Sequence, residues 1–214
     1  MTLTREENLF LAKKLFYELV FNAAYIEGVN VTFPQTQAII DGAVVNNVSV
    51  NDIQTVLNLR DAWRYALSGI DAELNLHYIC KVNEHVSRNE SLDWGRLRSG
   101  TVGVSGTDYI PPVPIEESVI EELTRINQIP EAKERAIDYF CYGVHSQLFW
   151  DGNKRTSTIV ACKILIEAGE GVLSIGKNQA VDFNHSLLNY YDTNDNSDLK
   201  SVLSRCIRRD LVRI

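Results

Sequence analysis

The sequence is short of paired cysteines, of basic charge and of long apolar runs, and each shortage excludes something. Four cysteines (Cys80, Cys141, Cys162 and Cys206) are spread over 214 residues without a C-x-x-C or any other paired spacing. That pattern supplies neither a zinc site nor a disulfide framework. Cys162 falls within an apolar run and reads as a small core residue. Lysine and arginine number 21 against 28 acidic residues, a net charge of −7. A chain so balanced lacks the basic face that broad nucleic-acid binding needs. The local cluster Arg205, Arg208 and Arg209 reads as solvated charge near a helix end. No apolar run is long enough to span a bilayer, and the opening Met-Thr-Leu-Thr-Arg-Glu-Glu lacks the pattern of a signal peptide. The expected protein is therefore free of the membrane and cytoplasmic. Neither internal repeats nor low-complexity segments occur.

What is present is mostly helical patterning. Thr4 with Glu7 forms a capping box that opens a helix running to about Glu27-Gly28, and Thr32 with Gln35 opens a short one ending near Gly42. Residues 43–51 have the Val, Asn and Ser order of a loop. Helices are expected over 52–69, 72–87, 116–127, 179–192 and 198–212, with two more flanking residues 147–156. The exception is 97–114. There Thr101-Val-Gly-Val-Ser-Gly-Thr-Asp-Tyr-Ile110 alternates, is cut by Ser-Gly, and reads as a β-hairpin closed by Pro111-Pro112. The length suits one domain of ordinary size, with an N-terminal helical segment over 1–45 and a core over 46–214.

The most informative stretch is Gln147-Leu-Phe-Trp-Asp-Gly-Asn-Lys-Arg-Thr156. Ala136, Phe140, Val144 and Leu148 share one helical face before it, and Ile159, Cys162 and Ile166 repeat at helical spacing after it. Between them an acidic, glycine-containing and basic connection opens a helix. Backbone N–H groups at a helix start, a glycine that admits a ligand and two cations make an anion cradle. An acidic residue beside it suits a divalent metal held against a phosphate. Taken alone, the same residues also read as an ordinary helix–loop–helix connection.

This stretch resembles the signature of the Fic/Doc family, H-x-F-x-(D/E)-(G/A)-N-(G/K)-R. Six positions fit, Phe149, Asp151, Gly152, Asn153, Lys154 and Arg155, whereas Gln147 stands at the family's histidine. Weaker likenesses follow in the family's order. They are Tyr25-Ile-Glu-Gly28 with the helix to Gly42, Gly95-Arg-Leu-Arg98 with Thr101 to Pro112, Leu165 to Gly169, and Asn189-Tyr-Tyr191 with Asp198-Leu199.

The resemblance implies an all-α Fic-fold helical bundle with an inserted β-hairpin, the flap. It implies ATP and Mg²⁺ as cofactors and transfer of AMP to a hydroxyl of a target protein. Asp151 would take the metal, Gly152, Asn153 and Lys154 would form the anion hole, and Arg155 would pair with the phosphates. Phe149 would anchor the loop. Gln147 would occupy the catalytic position, with Asp151 and Arg155 beside it, and Tyr190 would stack near the adenine. A target protein would dock on the flap at 99–110 by strand addition. Lys154 makes the signature similar to the Doc branch, for which a phosphotransferase toxin and an antitoxin partner are implied. The resemblance leaves room for a homo-oligomer.

A neutral amide accepts no proton near pH 7, so Gln147 cannot serve as a general base. Losing such a base costs ~10² to 10⁴ in rate. The expected protein is therefore a slow or altered transferase, or a binding module for nucleotide or partner that carries out no chemistry. His145 does not substitute, because two residues along a helix lies about 200° round. It reads as a satisfied core or surface histidine. Glu27 is expected either near Arg155 or Lys154, or as a surface charge at a helix end.

Overall fold

The computed structural model describes residues 3–210. Its order is α1 (Arg5–Lys14), α2 (Phe16–Ile26), α3 (Phe33–Ile40), α4 (Val50–Ser68), α5 (Leu76–Ser87), α6 (Glu116–Asn127), α7 (Ala132–Ser146) and α8 (Asn153–Glu167). Strand β1 (Val172–Leu173), α9 (Ala180–Thr193), α10 (Ser197–Arg205) and β2 (Ile207–Arg208) complete it. No helix is long and apolar enough to cross a membrane among the described residues.

Both expected capping boxes form. The Thr4 hydroxyl accepts from Glu7 N at 3.1 Å while Glu7 Oε2 accepts from Thr4 N at 2.8 Å. Thr32 and Gln35 do the same for α3. The first helix, expected unbroken to residue 27, is divided at Leu15, whose φ of −86° and ψ of 4° leave the helical region. The bonds Leu15 N to Leu11 O and Leu19 N to Leu15 O carry through the division, so it is a local bend. Helix α4 starts earlier than expected because the Ser49 hydroxyl caps it by accepting from Asp52 N at 3.0 Å. Helix α5 starts later, at the Asn75 cap.

Helix α8 is the axis of the molecule. Thirteen of its residues are buried, on every face, so it is enclosed rather than amphipathic. It packs against α7, α5, α4, α1 and β1. The approach of α7 is close enough to require Gly143, where a Cβ would stand 2.3 Å from Ser157 Oγ. One buried apolar cluster runs from Leu11 to Cys206 and includes residues on both sides of the 43–49 loop.

Two expectations fail. The helix expected over 198–212 stops at Arg205, because Ile207–Arg208 pair antiparallel with Val172–Leu173; Val212 lies outside the described residues. The β-hairpin expected over 97–114 does not form. Residues 101–104 and 108–115 have no regular secondary structure, although their side chains alternate between exposed and half-buried up to a turn at Ser105-Gly106. Pro111 and Pro112 lack N–H donors and so cannot complete a ladder. A buried arginine closes the base of the segment instead. Arg98, 1% exposed, donates from Nη1 to Gly100 O at 2.5 Å and from Nη2 to Pro112 O at 2.6 Å.

Candidate functional site

The site is the bend between α7 and α8. Helix α7 ends at Gln147 in the left-handed region, with φ 45° and ψ 58°, a conformation that costs a residue with a Cβ roughly 1–2 kcal/mol. Side-chain bonds hold it there. Gln147 Nε2 donates to Val144 O at 2.7 Å and to the Tyr191 hydroxyl at 3.2 Å. Its Oε1 accepts from Asn153 Nδ2 at 3.0 Å, and its backbone carbonyl accepts from Arg98 Nε at 2.5 Å.

Asn153 closes the loop. Its Oδ1 accepts from Phe149 N at 3.0 Å and its Nδ2 donates to Phe149 O at 2.9 Å. Both amide hydrogens are therefore used within the loop, and the Asn153 side chain offers no spare donor to a ligand. Phe149 is buried in the core, as an anchor must be.

Gly152 caps α8 at φ 74°, but its bare face does not admit a ligand. A Cβ there would meet Ser87 Oγ at 2.4 Å and Val86 Cγ1 at 2.6 Å, so the glycine lets the loop lie against α5. The same helix holds the loop by its carbonyl: Asp151 O accepts from Asn83 Nδ2 at 2.9 Å and from Ser87 Oγ at 3.0 Å. No side chain caps α8, and none of the N–H groups from Gly152 to Arg155 finds an acceptor among the described residues. A buried helix of 15 residues with an uncapped start directs its positive end at whatever stands before it.

Arg155, the third residue of α8, is buried, its side chain 4% exposed. Nη1 donates to Glu90 Oε2 at 2.8 Å and Val86 O at 3.2 Å; Nη2 donates to Asp151 Oδ2 at 2.8 Å. Its Nε is buried without an acceptor. Burial lowers the guanidinium pKa, but Glu27, Asp151 and Glu90 together more than offset it and hold the group charged. The Asp151 side chain is 44% exposed and its Oδ1 has no protein partner among the described residues. Lys154 turns to α2, donating to Ile26 O at 3.2 Å with Glu27 Oε1 at 3.7 Å. Glu27 thus stands by Lys154, one of the two places expected for it.

Tyr190 sits in a stack rather than at an open face. The ring of His145 covers it at 4.5 Å between centroids, and Tyr109 of the 101–110 segment covers His145 at 4.4 Å. The Tyr109 hydroxyl bonds His145 Nδ1 at 3.0 Å, whereas His145 Nε2 is buried without a partner. Burial pushes the Tyr190 hydroxyl up to about 12. His145 therefore faces the aromatic stack, on a different side from the loop.

Gln147, Asp151, Gly152, Asn153, Lys154 and Arg155 thus converge on one bend. Sequence reasoning missed Asn83, Ser87 and Glu90, and it named Arg98 only within the Gly95-Arg-Leu-Arg98 likeness, without its role as a clamp. Asn83 and Ser87 left a signal, being polar residues four apart on the otherwise apolar face of Ile79, Val82 and Val86. Glu90 left none. A cavity of 400 Å³ adjoins the bend, lined by Tyr109, Val113, Tyr142, Ser146 and Leu148. The larger one, of 770 Å³, lies between α5 and α6 and is lined by none of the loop residues.

No family model matches the chain. Its sequence is 26% identical over 212 residues to protein adenylyltransferase Fic of Nematostella vectensis, covering 93% of this chain and 48% of that one. The protein of the same name from Drosophila persimilis is 24% identical over 185 residues, covering 82% and 36%. In sequence the chain is therefore similar to Fic proteins. Its fold agrees. A C. elegans Fic-1 fragment superposes with a TM-score of 0.75 at 21% identity, covering 92% of this chain and 61% of that one. A Fic domain containing signaling protein from Bacteroides thetaiotaomicron gives 0.75 at 18% identity, with 95% and 87% covered. The chain spans between about a third and a half of the length of those two curated relatives.

Proposed function

We propose that the Gln147–Arg155 bend holds the phosphates of ATP with Mg²⁺, and that the protein transfers AMP to a hydroxyl of a target protein slowly. The observation that carries this reading is the uncapped start of α8 together with a buried Arg155, in its first turn, whose Nε has no acceptor. Oriented N–H groups and an unsatisfied guanidinium edge are what a phosphate needs. The name of the curated relatives, protein adenylyltransferase, supports the choice of AMP.

The residues fit a Mg²⁺–nucleotide. Among the described residues no three His, Cys, Asp or Glu side chains group closely enough to form a metal cage. Mg²⁺ characteristically takes one or two carboxylates and completes its shell with phosphate and water. Asp151, half exposed with a free oxygen, would be that carboxylate, and the ion would neutralise phosphate charge. Backbone N–H groups of Gly152, Asn153 and Lys154 would face the phosphate oxygens, and Arg155 would pair with them through Nη2 and Nε. An extended segment of the target would add alongside 99–110, whose backbone lacks strand partners. Glu27, beside Lys154, would compete with the outermost phosphate.

Gln147 limits the chemistry to positioning. Its amide directs an incoming hydroxyl at best, and transfer of phosphorus groups depends largely on positioning and charge stabilisation. A second reading, a binding module without turnover, is favoured by one observation: Gln147 already spends both N–H donors and its oxygen inside the protein. A third reading, Doc-like phosphate transfer, draws on Lys154 following Asn153 in the signature.

Incubation with α- or γ-labelled ATP, Mg²⁺ and a cell lysate separates the three. Slow incorporation of α label that Gln147→His accelerates supports AMP transfer. Incorporation of γ label supports phosphate transfer, and ATP binding with no incorporation by the wild type supports the binding module.

A further inference from the structure

Arg155 is held at two edges of different character. Its inner edge, Nη1, meets Val86 O and Glu90 Oε2, both on the protein side of the loop. Its outer edge, Nη2, meets only Asp151, the solvent-facing partner. Glu90 is in turn fixed from α4: Oε1 accepts from Asn58 Nδ2 at 2.5 Å and Oε2 from Thr55 Oγ1 at 3.0 Å. Asn58 Nδ2 also donates to Arg88 O at 2.8 Å, and Asn89 turns the chain at φ 62°, so the 88–90 turn is pinned to α4. Glu90 has every one of its contacts on the protein side, and its side chain is only 14% exposed.

We propose that Glu90 is a positioning residue for the anion site. It holds the inner edge of Arg155, so that the guanidinium keeps its orientation and Nη2 stays available to an anion when Asp151 leaves it for a metal. The two carboxylates then divide the work. Asp151 is exchangeable, and Glu90 is the fixed counter-ion that keeps the guanidinium charged and oriented whichever partner the outer edge has. A buried arginine needs such a counter-ion, since an uncompensated charge at this depth is strongly unfavourable. This inference rests on the phosphate-site reading above.

The test is a double-mutant cycle on ATP·Mg²⁺ affinity, measured by calorimetry for the wild type, Glu90→Gln, Arg155→Met and the pair. Glu90→Gln is expected to weaken binding roughly tenfold, and to change nothing further in the Arg155→Met background. A loss of the same size in both backgrounds, or none in the wild-type background, would overturn the role of Glu90 and leave the phosphate site standing. No ATP binding by the wild type would overturn the phosphate site and this inference with it.

If Glu90→Gln or Arg155→Met does not fold by circular dichroism, the Nε–H resonance of Arg155 in Glu90→Asp decides. Faster hydrogen exchange with a smaller ATP-induced shift than in the wild type supports the positioning role. Unchanged exchange and shift overturn it.

Discussion

Asn153 Nδ2 donates a hydrogen bond to Gln147 Oε1 at 3.0 Å, which joins the two ends of the bend through their side chains. The residue at the position of the expected base is thus part of the scaffold that shapes the bend. Asn153→Ala removes this bond and the two to Phe149, leaving Phe149 N–H buried without an acceptor. Thermal unfolding should show a loss on the order of 2–3 kcal/mol. An unchanged midpoint would mean that the loop holds its shape without Asn153.

Gly152→Ala should be more damaging than its size suggests. The substitution meets a positive φ of 74° and puts a methyl group 2.6 Å from Val86 Cγ1. Left-handed strain of about 1–2 kcal/mol and overpacking of about 1–3 kcal/mol add to several kcal/mol. Denaturant unfolding checks the sum. A shift under 1 kcal/mol would show that α5 and α8 separate easily.

Arg98 holds the base of the 99–112 segment through carbonyls alone, with Gln147 O, Gly100 O and Pro112 O all within 2.6 Å of it. Arg98→Lys cannot reproduce that planar fork, because one ammonium does not reach both arms. Destabilisation on the order of 3 kcal/mol and faster proteolytic cleavage within 101–110 are expected. Wild-type cleavage rates in Arg98→Lys would show that the clamp does not restrain the segment.

Acid should weaken the fold through two histidines. Burial lowers the pKa of His145 from its usual 6.5, and burial followed by the Arg88 charge lowers that of His85. A folded pKa below the unfolded one means that the unfolded chain binds protons first. Their contribution is therefore fully present above about pH 6.5 and is lost as pH falls from there through the folded values. Urea midpoints measured between pH 7.5 and 5 should fall for the wild type and fall less for His145→Gln. Parallel curves would remove His145 from the account.

Much of this was legible in the sequence because the signals were local. Capping boxes lie three residues apart, so Thr4 and Thr32 mark helix starts reliably, and α6 begins and ends where its pattern does. Gln147 and Asp151 to Arg155 lie within nine residues, so their convergence followed from one bend. Contacts distant in sequence were not legible. Glu90 and Arg155 are 65 residues apart, and Arg98 reaches Gln147 over 49. The alternation of 101–110 was real at the level of burial, but no ladder forms between its two halves, which the Arg98 bonds to Gly100 O and Pro112 O hold at the base instead. The β1–β2 pair is two residues per strand, too short to leave a period.

The central claim is that phosphate binds at the start of α8. Titration of ¹⁵N-labelled protein with ATP and Mg²⁺ tests it most directly, through the backbone amide signals of Gly152, Asn153 and Lys154. The account predicts shifts centred on those three amides that saturate together, with smaller ones at Asp151 and Arg155. Shifts centred on His77, Cys80 and Leu97 around the larger cavity, or none anywhere, would contradict it.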